Sequence, residues 1–205
     1  MNELLLILYE TLCEALPFGV SLGLLAACRK RDGLPLSASG LGMVSLLALY
    51  IMGVLHFTGA GTLGGGLMLG LDLQNINLIP FSQHPISIPG YCLNVLLFLP
   101  LGFLAPMLYK DCRKPLSVLM LGFGFSVLIE ASQILSFRAT DIDDVILNTL
   151  GAMAGWGLYR LAASHLPKWE LPGAFLNTAV LAPFLGRFFL YYELGFIHYI
   201  YTVNH

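Results

Sequence analysis

Apolar residues come in six long runs, at about 4–28, 40–58, 91–109, 115–137, 141–163 and 173–192, divided by segments rich in charge, glycine or proline. Each run is close to the roughly 20 residues that an α-helix needs to cross the hydrocarbon core of a bilayer. The pattern predicts an all-α, polytopic helical membrane protein with about six transmembrane helices, or five at the lower bound. The first run is the least regular. Glu3, Glu10 and Glu14 interrupt it, and carboxylates within a span need a polar interior or the interface. The last run carries Arg187, which must either snorkel or sit against another helix. The longest connection, residues 59–90, opens with Gly59, Gly61, Gly64, Gly65, Gly66 and Gly70 and reads as a loop or a re-entrant segment.

Composition excludes the soluble alternatives. Of 205 residues, 57% are hydrophobic and only 11% charged, with a mean hydropathy of +0.79. A soluble domain spends about a quarter of its residues on charge, and a disordered chain cannot carry so much Leu, Ile, Val and Phe. Six spans leave no room for a separate soluble domain, so residues 1–205 read as a single membrane domain. The net charge of −2 says little, because the side on which each charge lies matters more than the sum.

Of the ten Lys and Arg residues, eight fall on one side: Arg29, Lys30, Arg31, Lys110, Arg113, Lys114, Arg160 and Lys168. Arg138 stands alone on the other. The positive-inside rule then puts both termini outside. Leu25-Ala26-Ala27-Cys28 has the form of a lipoprotein cleavage box, but its positive charge follows the apolar run instead of preceding it, so it is not read as one. Cys28 and Cys112 fall on the reducing side, Cys13 and Cys92 within or near the membrane, and all four are read as packing residues.

An ionisable group inside a span is costly and is by default a functional hypothesis. Span four carries Glu130 and Gln133 on one face and ends near Arg138. Span five begins Thr140-Asp141-Ile142-Asp143-Asp144, and Asp141, Asp144 and Asn148 share a face that continues through Gly151 and Gly155. Span three contributes Asn94. At 1.5 Å per residue, Asn148 lies about 12 Å below Thr140, Glu130 about 12 Å below Arg138 and Asn94 about 6 Å below Gly90. All then belong to the outer third of the membrane, and the short link between spans four and five makes them antiparallel neighbours. A shared, outward-opening polar pocket is predicted.

Simpler roles compete at several of these positions. Thr140 with Asp143 has the spacing of a capping box, which would make Asp143 structural. Asp141 or Asp144 with Arg138 is a candidate ion pair pinning the loop. Gly151 and Gly155 form a GxxxG pattern that points to close helix packing. Pro100 and Pro106 are candidate kinks in span three. His56 and His84 have no pairing motif beside them and read as hydrogen-bonded interface residues. No capping role explains Glu130.

The segment Asn94-Val-Leu-Leu-Phe-Leu-Pro-Leu-Gly-Phe, the stretch Ser126 to Gln133 around Glu130, and Arg138-Ala-Thr-Asp-Ile-Asp-Asp-Val-Ile-Leu-Asn-Thr-Leu-Gly resemble the VanZ-like family, as does the preceding Asn77-Leu-Ile-Pro-Phe. The resemblance covers about residues 40–163. It implies a multi-pass protein of the bacterial cell membrane, in a family whose namesake is associated with low-level resistance to the glycopeptide teicoplanin. It supplies no reaction. Its motif residues carry over as a site of open chemistry: Asn94, Glu130, Gln133, Arg138, Asp141, Asp143, Asp144 and Asn148.

Two functional classes follow. In the first, the pocket binds an amphiphile such as a lipoglycopeptide or a lipid-linked envelope component, with Arg138 and the amides on its head group and apolar walls on its tail. In the second, the pocket is an intramembrane enzyme site. Glu130 would then act as general acid or base while Asp141 and Asp144 hold a hard cation or position a nucleophile. The cluster has no paired Ser and His, no HExxH and no Lys/Arg cluster for phosphate transfer, which weighs against catalysis. A transporter would show an internal broken-helix repeat, and none stands out. Membrane lipids are the expected partners, with no nucleic acid; no cofactor or metal is assigned, and oligomeric state stays open.

Overall fold

The computed structural model describes residues 3–69, 76–82, 87–136, 140–167, 169–192 and 195. Gly70, His84, Arg138 and Lys168, all singled out by sequence, lie outside the described residues. The long helices are α1 (Glu3–Arg31), α2 (Ala38–Thr58), α4 (Ile88–Leu108), α5 (Pro115–Gln133), α6 (Ile142–Ala162) and α7 (Gly173–Leu190), with a short α3 (Leu63–Leu69) inside the glycine-rich connection. Five of the long helices are apolar enough to cross a membrane. The sixth, α6, has 21 residues but carries Asp143 and Asp144 in its first turn, and it packs along α4 and α5, which cover its polar side chains. The fold is an all-α polytopic membrane bundle.

Helix ends follow local chemistry. The Ser37 hydroxyl accepts from Gly40 N at 3.1 Å to start α2. Gly59, at φ 62°, ends it in the left-handed conformation, with Gly59 N and Ala60 N closing on the His56 and Leu55 carbonyls. Pro89 and Pro115 occupy the first turns of α4 and α5, where a missing N–H costs nothing. Within α4, Pro100 and Pro106 are accommodated in one continuous helix, and the Tyr50 hydroxyl donates to the Leu97 carbonyl at 2.6 Å beside the first of them.

The closest packing is between α4 and α6. A Cβ on Gly102 would come within 1.8 Å of the Ala152 carbonyl oxygen, one on Gly151 within 2.2 Å of Val95 O, and one on Gly155 within 2.0 Å of Leu99 O. The GxxxG pattern is a packing seam, where missing side chains let two backbones touch. α1 uses the same device against α7: a Cβ on Gly186 would meet Cys13 O at 2.3 Å. Leu4, Leu8, Leu12, Leu16, Val20 and Leu24 form the exposed stripe of α1, whereas Glu10, Cys13, Glu14 and Phe18 are buried. Glu10 and Glu14 therefore point into the bundle and the leucine stripe toward lipid.

Backbone bonds from Trp169 and Leu171 to Met107 and Leu108, and contact of Leu171 with the start of α2, bring the Arg29–Arg31, Lys110–Lys114 and Arg160 segments to one end of the bundle. All four cysteines are free; Cys13 and Cys112 are buried, but Cys28 and Cys92 are exposed. Packing therefore describes only two of the four, because the other two lie on outward helix faces.

Candidate functional site

At the opposite end of the bundle, the chain turns from strand into helix. Thr140 and Asp141 are extended and pair in parallel with Ile76 and Asn77, the only two-stranded sheet among the described residues. Asp141 then caps α6: its Oδ1 accepts from Asp143 N at 2.9 Å, and its carboxylate accepts from Asn77 Nδ2 at 3.3 and 3.4 Å. This corrects the capping-box expectation for Thr140 and Asp143. The strand pairing holds Thr140 in the extended chain, so the helix starts one residue later. The Thr140 hydroxyl donates to the Glu130 carbonyl at 3.2 Å instead. Asp143 is only 1% exposed. It accepts from Phe81 N at 2.7 Å and from the Tyr91 hydroxyl at 2.6 Å, tying the segment before α4 to the start of α6.

Glu130 is buried in the last turn of α5, and its Oε2 accepts from Asp141 N at 3.0 Å. Asn94 Nδ2 donates to Asp144 Oδ1. Asn148 Nδ2 donates to the Ser126 hydroxyl at 2.9 Å. Because α5 and α6 run antiparallel, the Ser126–Asn148 pair fixes their register, and Glu130 and Asp144 occupy the facing positions one turn nearer the end. Asp141 and Asp144 are within electrostatic reach of Glu130. One polar layer thus joins Asn94, Glu130, Asp141, Asp143, Asp144 and Asn148. Gln133 departs from it, donating sideways from Nε2 to the Thr58 carbonyl at 2.9 Å.

The layer is rich in acceptors. Asn148 Oδ1, and Gln133 Oε1 beside the layer, are buried without a hydrogen-bond partner among the described residues, and no described residue donates to Glu130 Oε1. Buried acceptors left idle cost free energy unless something donates to them. Among the described residues no three His, Cys, Asp or Glu side chains are arranged to hold one metal ion. Beside the layer, a crevice of about 450 Å³ opens between the end of α2 and the start of α4, lined by Phe57, Thr58, Leu93, Asn94, Leu96 and Leu97 among others. Phe57, Leu93 and Leu96 are exposed and give it an apolar mouth. Its polar atoms belong to Thr58, held by Gln133, and to Asn94, held by Asp144.

Sequence reasoning missed Tyr91 and Ser126 as parts of this layer. Both carried a signal, Tyr91 lying three residues before Asn94 and Ser126 four before Glu130, on the same helix faces. It also left unassembled a second ionic cluster, in which Arg187 of α7 meets Glu10 and Glu14 of α1, with His56 of α2 on Glu10. There the signal was the i, i+4 spacing of two carboxylates in one span and a lone arginine in another.

The family profile described as VanZ/LLP1 matches residues 43–163. Protein VanZ of Enterococcus faecium is 31% identical over 111 residues, which make up 53% of this chain and 66% of that protein. The chain thus spans just under two thirds of the length of the curated relative it matches. No solved structure matches it. The family match begins in α2 and runs to the end of α6, so it contains the polar layer and the crevice beside it. This chain belongs to the VanZ/LLP1 family.

Proposed function

We propose that the chain is a membrane protein that binds an amphiphile, a lipoglycopeptide or a lipid-linked envelope component, and through it contributes to tolerance of teicoplanin. The observation that carries this reading is the crevice of about 450 Å³ whose apolar mouth leads to the Asn94 amide. Its size falls within the roughly 300–1,000 Å³ of small-molecule sites. An acyl or prenyl tail would lie along Phe57, Leu93 and Leu96, on the lipid side. The head group would meet Asn94 and Thr58 on the crevice wall, behind which the acceptor-rich layer of Glu130 and Asn148 lies, and this suits the hydroxyls and amides of a glycan or peptide. Of the proposed site residues, Asn94 stands on that wall and is backed by Asp144, with Glu130, Asp141, Asp143 and Asn148 in the layer beyond, and Gln133 and Arg138 belong to the same proposed set.

Binding of teicoplanin and of its deacylated form to the purified, detergent-solubilised protein tests the reading. Deacylation and Asn94→Leu should each weaken binding by about tenfold or more. Equal binding of both forms would remove the tail from the argument, and failure to bind either would leave a lipid-linked precursor as the ligand to try. Glu130 Oε1, to which no described residue donates, favours one second reading, an intramembrane enzyme with Glu130 as general acid or base. It would appear as a mass change in the bound ligand that Glu130→Gln abolishes.

A further inference from the structure

A second polar centre lies on the other flank of the bundle. α1 packs closely on α7 but only loosely on α2, and between α1 and α2 this leaves a crevice of about 260 Å³ with Glu10, Thr11, Glu14 and His56 among its walls. We propose that this crevice binds the primary ammonium head group of a membrane amphiphile, seated on Glu14 and Glu10.

Charge carries the argument first. Arg187 meets both carboxylates through one guanidinium nitrogen and donates to the Ala60 carbonyl through Nε at 2.7 Å. Two carboxyl groups therefore share one fixed positive charge, and His56, at 2.9 Å from Glu10, adds another only when protonated. Among the described residues the other titratable side chains about the cluster, Tyr9, Cys13 and Tyr191, bring no cation. An uncompensated charge at this depth is costly, and a bound cation offsets it. Hydrogen bonding points to the same place. Glu10 gives one oxygen to Arg187 and the other to His56, whereas Glu14, 2% exposed, gives one oxygen to Arg187 at 3.2 Å, and no described residue donates to its other oxygen.

The walls select the kind of cation. A primary ammonium has three N–H donors, and here a carboxylate oxygen and the Thr11 hydroxyl stand ready to accept them. A quaternary ammonium donates nothing and is held by aromatic cages, yet no Phe, Tyr or Trp among the described residues lines this crevice. The rim residues Ile7 and Leu49 are exposed toward lipid, so the ligand reaches the site from the bilayer with its chains outside. The volume is that of roughly nine waters at about 30 Å³ each, enough for an ethanolamine-sized group and too small for a glycan.

The full chain in nanodiscs of equal phosphatidylethanolamine and phosphatidylcholine, with identical acyl chains, provides the test when the lipid retained on release is read by native mass spectrometry. The parent should retain phosphatidylethanolamine over phosphatidylcholine by about tenfold. Gly53→Leu should abolish the preference, since Gly53 lines the crevice, a Cβ there meets no atom within 4 Å, and the larger side chain takes up space the head group needs. Glu14→Gln should abolish it as well; if that variant does not accumulate, Gly53→Leu decides alone. Equal retention of the two lipids by the parent, or a preference unchanged in Gly53→Leu, would overturn the proposal. Teicoplanin binding by Gly53→Leu should match the parent, which keeps this test separate from that of the polar layer.

Discussion

The Tyr91 hydroxyl donates to Asp143 Oδ2 at 2.6 Å, linking the first turn of α4 to the first turn of α6 across 52 positions of sequence. With Phe81 N on its other oxygen, Asp143 holds two donors while almost fully buried. Asp143→Asn keeps one acceptor and turns an amide N–H₂ toward a donor. The expected loss is about 1–3 kcal/mol, the cost of stranding a buried polar group. Thermal unfolding in detergent checks it. In a Tyr91→Phe background the same substitution should cost measurably less, and additive losses would show that the two residues act independently.

Glu130→Gln retains an oxygen for Asp141 N, so the variant should accumulate and unfold like the parent. Under the proposed function it should lose whatever glycopeptide tolerance the parent confers. Glu130→Leu strands the Asp141 amide and should destabilise by about 1–3 kcal/mol. Comparing expression, unfolding temperature and tolerance across the two variants separates a functional carboxyl from a structural anchor. A fully active Glu130→Gln would reduce Glu130 to a neutral hydrogen-bonding group.

The glycine seam between α4 and α6 makes a sharper stability prediction. Gly151→Val drives a side chain into the Val95 carbonyl, which as helix backbone has little room to move, and should cost at least about 1–3 kcal/mol. Gly157→Ala, two turns along on a face with nothing within 4 Å, should be neutral or gain about 0.5 kcal/mol. Similar unfolding temperatures for both variants would mean that the helices do not approach as closely as described.

Orientation follows from charge. The Arg29–Arg31, Lys110–Lys114 and Arg160 end of the bundle should face the cytoplasm, with the N-terminus outside. In a background in which the exposed Cys28 and Cys92 are serine, an impermeant maleimide should label Ile79→Cys in intact cells and spare Asp32→Cys. The reverse pattern would invert the protein and turn the polar layer inward.

Cys112, in the 3₁₀ turn between α4 and α5, should resist thiol reagents. Burial, aided by the neighbouring charge of Asp111, pushes its thiol up to about 11. Since the thiolate is the nucleophile, a raised pKa leaves little of it near pH 7.5. Maleimide should modify Cys28 in the folded, solubilised protein and reach Cys112 only on unfolding, as mass spectrometry of the modified protein would show.

What the sequence by itself determined was set by the bilayer and by local chemistry. Six apolar runs of spanning length became six long helices, because a chain in hydrocarbon must satisfy its own backbone and only a helix does so locally. GxxxG packing was legible for the same reason, since a helix places Gly151 and Gly155 on one face. The cost of burying charge singled out Glu130, Asp144 and Arg187, and the antiparallel register of spans four and five followed from the short link between them. Partner choice was another matter. Whether Thr140 or Asp141 caps α6 depended on pairing with Ile76 and Asn77, more than 60 residues away. That Asp143 would serve Tyr91 and Phe81, that Gln133 would turn to Thr58, and that Arg187 would join Glu10 across 177 positions depended on which helix faces meet. A helix fixes the face on which a side chain stands, but the neighbour it meets is settled only when tertiary packing brings distant helices together.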